Sequence, residues 1–183
     1  MVVGTCSTLT RPTPLKIEMR PWTCLNRPGL PLFEEGFGEY VMNQWIIGYQ
    51  YFGGITNWRN PAFPDGIPSR SPIKLAQSRP GWCLAADAVM KVGGFWGGGI
   101  MTNRASAIFD NLPPHRNSHR SPTGGNEVFA DGSARWVKFE EMYFLTTWPG
   151  ALNSRQAFFY QDPNDFDPDL ATLLPTLAGP VFQ

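Results

Sequence analysis

Trp45 to Phe52 reads WIIGYQYF, a run of aromatic and β-branched side chains closed by Gly53-Gly54, and predicts a strand. Gly81 to Val92, GWCLAADAVMKV, is an apolar run of strand length interrupted by Asp87. A buried strand and a short helical turn both fit it, because periodicity alone does not separate them at this length. Between the two runs, Thr56 to Pro72 is punctuated by prolines and Asp65-Gly66 and predicts a loop. Gly93 to Ser106, with five glycines around Phe95-Trp96, predicts a flexible loop. The sharpest local pattern is NEVFA-DG-SARWV, two strand-like runs about Asp131-Gly132, which predicts a β-hairpin. A two-residue turn would set Phe129 opposite Ala134 and Glu127 opposite Trp136. Phe129 and Trp136 would then share the buried face. KFEEMYFLTTWPG either extends the second strand or forms a short helix. In DFDPDLATLLPTLAG, Asp167 is placed as N-cap and Pro168 as first helical residue, with Leu170, Leu173 and Leu174 on one side. Pro175 should stop that helix after about two turns.

Five prolines before residue 34 exclude a long helix there, so residues 1–33 read as an extended arm and residues 34–183 as one globular domain. Glycine and proline together supply 37 of the 183 residues, 19 and 18 respectively. Neither suits helix interiors, so the fold should be α+β, loop-rich, with more sheet than helix. Fifteen basic residues balance fifteen acidic ones, which argues against a nucleic-acid surface built on counterion release. No apolar run approaches the roughly 20 residues that span a bilayer, and the first residues show no export signal. Cys6, Cys24 and Cys83 form no Cys-x-x-Cys pair, so a zinc ribbon is not indicated; one disulfide or three free thiols are both allowed. No phosphate-binding glycine motif occurs, and no small-molecule substrate is evident.

His115 and His119 are the two histidines, four apart. On a helix they would share one face, as zinc ligands do, but no Glu lies between them to act as base. A loop with capping or solvated histidines is the simpler reading. An acid–base reading would fold His119 back toward Asp131 or Asp87. Ser118, Ser121 and Ser133 sit in no nucleophile elbow, so no complete catalytic set is legible and the chain reads as a non-enzyme. Asp162, Asn164, Asp165, Asp167 and Asp169 place oxygen ligands close together in one loop, which calcium could use. N-capping and turn formation account for the same residues, and no other cofactor is indicated. Trp45, Tyr49, Tyr51, Trp58 and Trp96 could form a sugar-stacking platform, the main rival function; core packing is the alternative for them.

His119, Gly124-Gly125-Asn126 and VFADGSARWV together resemble a bacterial family of prepilin-type (pseudopilin-like) proteins, whose C-terminal domain is named for a histidine, a nine-residue spacer and Asp-Gly. Here eleven residues separate His119 from Asp131-Gly132, with RSPT as the insertion. WCLAADAV, ending near Asp87, and GYQYFGG are similar to the family's preceding strands, so the likeness spans about residues 45–145. It implies a pilin-like globular domain with an antiparallel sheet, in which His119, Gly124, Gly125, Asn126, Asp131, Gly132 and Asp87 form the structural motif. It further implies a structural or assembly subunit of a type II secretion pseudopilus or type IV pilus-like system in the cell envelope, with other pilin-like subunits as partners. A polysaccharide-binding envelope module is the alternative. The chain departs from the family before Glu34, where nothing resembles the leader or the long apolar helix. It therefore reads as the globular part alone, or as a divergent copy.

Overall fold

The computed structural model describes residues 32–34, 44–46, 48–96, 112–147 and 155–183. Most of the expected 1–33 arm, Cys6, Cys24 and most of the Gly93–Ser106 loop lie outside these residues. The described architecture is α+β, with antiparallel strands throughout and one α-helix. β1 (Leu32–Glu34) pairs with β2 (Gln44–Ile46). The main sheet has the order β3 (Tyr49–Tyr51), β6 (Cys83–Asp87), β8 (Gly124–Phe129), β9 (Ala134–Lys138). A second sheet runs β10 (Tyr143–Thr147), β11 (Arg155–Phe159), β7 (Met90–Val92). Thus Gly81–Val92 forms strand, not helix, and it serves both sheets. The chain leaves the first at Asp87, passes through buried Ala88 and Val89, and enters the second at Met90.

That corner is tied down from both sides. The Val89 carbonyl accepts the Phe158 amide at 2.9 Å. The buried Gln50 side chain donates to the Asp87 carbonyl at 3.1 Å and to the Phe158 carbonyl at 3.4 Å, one residue bridging the two sheets. β11 is buried on both faces, as its neighbours show. Phe159 packs with Phe52, Trp58 and helical leucines, while Phe158 packs with Val137, Phe139 and Phe144 on the other side.

Thr56–Pro72 is not an open loop. It contains a hairpin of β4 (Asn57–Asn60) and β5 (Phe63–Pro68), whose Trp58 and Phe63 enter the core. The deciding residue is Asn60. Its Oδ1 accepts the Ala62 amide at 2.8 Å and the Phe63 amide at 3.3 Å, which makes the turn. Its Nδ2 donates to the Phe144 carbonyl at 2.8 Å, which docks that turn on the second sheet. The expected strand from Trp45 to Phe52 divides into β2 and β3. After β9 the chain makes a single 3-10 turn, Phe139–Glu141, which meets the short-helix reading of KFEEMYFLTT for one turn; the strand that follows, β10, belongs to the second sheet and does not extend β9.

The helix α1 (Pro168–Leu177) starts at Pro168 as expected, but it runs through Pro175. A proline this near the end deletes one hydrogen bond to the preceding turn. Burial of Leu170, Leu174 and Leu177 carries the helix past it. Asp167 is extended at the N-cap position without a side-chain capping bond, so the N-cap role assigned to it is positional only.

The Asp131-Gly132 hairpin forms, with a different turn and register from the two-residue model. Phe129 and Ser133 close a three-residue loop: the Phe129 amide donates to Ser133 at 2.9 Å and the Gly132 amide to Phe129 at 3.0 Å. Gly132 alone takes positive φ, 84°, as in a type I turn followed by a bulge. Val128 therefore faces Ala134, Glu127 faces Arg135 and Asn126 faces Trp136. A one-residue slip exchanges the faces of a strand. Val137 is buried and Trp136 is 46% exposed, the reverse of the simple pattern.

Gly124 sits at φ 149°, and a Cβ there would run into the Val137 carbonyl oxygen and lie 2.9 Å from Trp136 Cζ2. Gly132 faces open space. Gly124→Ala should therefore lose about 2–4 kcal/mol and Gly132→Ala about 1 kcal/mol in urea unfolding. Equal losses at the two sites would contradict this account of the hairpin.

Candidate functional site

Of the motif residues, Gly125 and Asn126 meet Asp87, at the end of β6 where the chain changes sheets. Its carboxylate is 2% exposed. Oδ2 accepts the Asn126 backbone amide at 2.7 Å and the Asn126 Nδ2 at 2.9 Å, so one oxygen holds both ends of the same residue on β8. Gly125 is required beside it, since a Cβ there would lie 3.0 Å from Asp87 Cβ and 3.2 Å from Val89 Cγ2. Gly-Gly-Asn thus has a local meaning: Gly125 lets β8 come close enough for Asn126 to reach the carboxylate, while Gly124 makes room on the other side for Val137 and Trp136 of β9.

The histidine at this site is His115, not His119. His115 Nε2 approaches Asp87 Oδ2 at 3.2 Å, off the line of a directed hydrogen bond, and forms an ion pair when the ring is protonated. Its ring meets Trp136 edge to face, with centroids 4.9 Å apart at 79°. His119 lies four residues on, exposed, in a turn built by Asn117. There Asn117 Oδ1 accepts the His119 amide at 2.9 Å and the Ser121 amide at 3.1 Å. The segment holding both histidines is not helical, and the zinc-like spacing does not bring them onto one face.

Asp131 is exposed at the far end of the hairpin and does not join Asp87 or His119. It accepts the Ser133 amide at 2.8 Å, and bonds from Ser133 hold its carboxyl below the usual range. The hairpin tip is pinned to the segment before β6, with the Ala130 amide on the Trp82 carbonyl and the Asp131 amide on the Pro80 carbonyl. Sequence reasoning grouped His119, Asp87 and Asp131; the fold groups His115, Asp87 and Asn126.

A second buried carboxyl was not singled out in the sequence. Glu127 on β8 is fully buried, its Oε1 accepting the Tyr160 amide at 2.7 Å. Burial raises its pKa to about 8, against smaller lowering effects from the Tyr160 amide, the Cys83 thiol and the Arg135 charge. Cys83 is a buried free thiol. Its own pKa is pushed well above the ordinary value, first by burial and then by Glu127. Both groups are thereby neutral at pH 7, and Cys83 is poorly suited to act as a nucleophile.

The acidic loop after β11 is organised from within. Asp162 Oδ1 accepts the Asn164 amide and its Nδ2, both at 2.9 Å. Asp165 Oδ1 pairs with Arg79 at 2.6 Å, and its Oδ2 accepts Gln161 Nε2 at 2.7 Å. Asp167 lies 3.6 Å from Arg70. Among the described residues no group of three or more His, Cys, Asp or Glu is placed to hold a metal ion. In this structure Asp162, Asn164, Asp165 and Asp167 are engaged in turn formation and arginine pairing. Of the aromatics weighed for a sugar platform, Trp58 is 1% exposed in the core and Trp96 packs on Phe139 and Phe158, as the core-packing alternative has it; the Trp45 side chain lies outside the described residues. Among the described residues no helix is long and apolar enough to cross a membrane.

Asp87→Ala strands the Asn126 amide and should cost about 2–4 kcal/mol, whereas exposed His119→Ala should stay within about 0.5 kcal/mol in the same urea titration. A larger loss at His119 would reverse the assignment of the motif histidine. For Glu127 the folded pKa, about 8, exceeds the ordinary 4.5. Its stabilising contribution is therefore complete below about pH 4.5 and declines as pH rises toward 8. Glu127→Gln should gain on the wild type by about 3–4 kcal/mol between pH 5 and pH 8, at up to roughly 1.4 kcal/mol per unit. Parallel stability–pH curves for the two proteins would refute the burial account.

Compared with family models, with curated proteins and with solved structures, the chain finds no significant match.

Proposed function

We propose that this chain is the globular domain of a pilin-like structural subunit of the bacterial cell envelope, assembling with other pilin-like subunits and carrying no catalytic cycle. The observation that supports the reading is the use made of the motif. Asp87, Gly125 and Asn126 are engaged with one another at the corner where β6 leaves the main sheet. Residues with the look of acid–base chemistry act here as a brace. An assembly subunit needs that rigidity, because it must present fixed surfaces to its neighbours in a fibre. The antiparallel α+β architecture agrees with the resemblance seen in the sequence.

The test is to tag the chain at its native locus and to shear the cells. The expected product carries an apolar N-terminal segment encoded upstream of Met1 and co-sediments with other pilin-like proteins in the sheared filament fraction. A product that begins at Met1 and sediments alone as a free monomer would overturn the proposal.

A further inference from the structure

Trp136 lines an open cleft of about 710 Å³ together with Asn117, Thr123, Lys138, Glu140 and Gln183. It is a large ring left 46% exposed, yet it is held in place. The His115 ring abuts it edge-on at 4.9 Å, and His115 in turn meets the buried Asp87 carboxylate at 3.2 Å. On β8, Gly124 leaves room for the indole, whose Cζ2 would be 2.9 Å from any Cβ at that position. The motif thus orients an exposed aromatic plane, which an architectural role alone does not require.

We infer that this cleft binds a neutral pyranose ring of a glycan, stacked on Trp136. A pyranose has an apolar C–H face and a rim of hydroxyls that both donate and accept. The cleft answers each part. Trp136 offers the plane, and such planes gain affinity at low entropic cost. Lys138 donates and Glu140 accepts, while Gln183 and Thr123 do both. Asn117 Oδ1 is occupied by two backbone amides, which leaves its Nδ2 as a donor. The rim side chains carry one acid and one base, Glu140 and Lys138, so they do not favour a charged sugar over a neutral one. The site lies apart from the aromatics of the sequence-based platform, and it does not depend on the assembly reading.

The experiment takes the 183-residue chain and three neutral tetrasaccharides, of glucose, N-acetylglucosamine and mannose, followed by saturation-transfer NMR and calorimetry. At least one should bind saturably, and Trp136→Ala should weaken it about tenfold, equivalent to about 1.4 kcal/mol, with Trp136→Tyr retaining most of the affinity. Because Trp136 also touches His115 and Gly124, Glu140→Gln and Lys138→Met provide a second test that leaves the indole in place, and each should weaken binding several-fold. Melting curves show that the variants are folded. Absence of saturation with all three sugars overturns the proposal. So does binding that survives both the Trp136 and the rim substitutions unchanged.

Discussion

The fold turns on a single oxygen, Asp87 Oδ2. One strand passes from the main sheet to the second sheet at this residue, and a buried carboxylate at such a corner is costly unless it is fully engaged. Here it accepts two bonds from Asn126, at 2.7 and 2.9 Å, and is approached by His115 at 3.2 Å. Several features follow from satisfying it. β8 must come close, so Gly125 carries no side chain. The Pro113-Pro114 segment must pass nearby, so His115 reaches the carboxylate. Gln50 must hold the Asp87 carbonyl, so the corner stays fixed against β11.

Glu127 shows what happens to a carboxyl in the same sheet with fewer donors. It stands on β8 beside Asn126, equally removed from water, and accepts the Tyr160 amide at Oε1. Burial then outweighs the hydrogen bonds, and the group holds its proton to about pH 8. The Glu127 and Cys83 side chains form a neutral polar island against the aromatic core, with Arg135 lying over Tyr160 at 4.4 Å on the solvent side. Each carboxyl receives one backbone amide, and Asp87 has in addition two side chains, the Asn126 Nδ2 and the His115 ring, brought to it.

Much of this was legible where local chemistry decides the outcome. Asp131-Gly132 marks a hairpin because a tight turn needs positive φ, and Pro168 marks a helix start because its fixed φ suits the first turn. The apolar run around Cys83 takes the buried strand, one of the two forms its length allows. Where two turn types fit the same dipeptide, local chemistry failed. Asp-Gly serves a two-residue turn or the last positions of a three-residue one, and the choice reverses which of Trp136 and Val137 is buried. The buried Glu127 had a signal, since it shares strand parity with Phe129. An acidic residue on the face of a core aromatic was worth a question.

The histidine is the instructive case, because nothing local distinguishes His115 from His119. Both lie in a polar, proline-flanked stretch, and the spacing to Asp-Gly favours the nearer one. The difference is tertiary. Leu112, buried in a small cluster with Met90, Val92 and Ala157, anchors the segment just before His115 against β7 and β11. His119 falls beyond that anchor, on a turn that Asn117 closes for its own reasons. The histidine nearest an apolar anchor is carried to the buried carboxylate, and the one in the turn is left to solvent. The same anchor sets the imidazole against Trp136, so a packing choice at Leu112 reaches the protein surface as the orientation of an exposed indole.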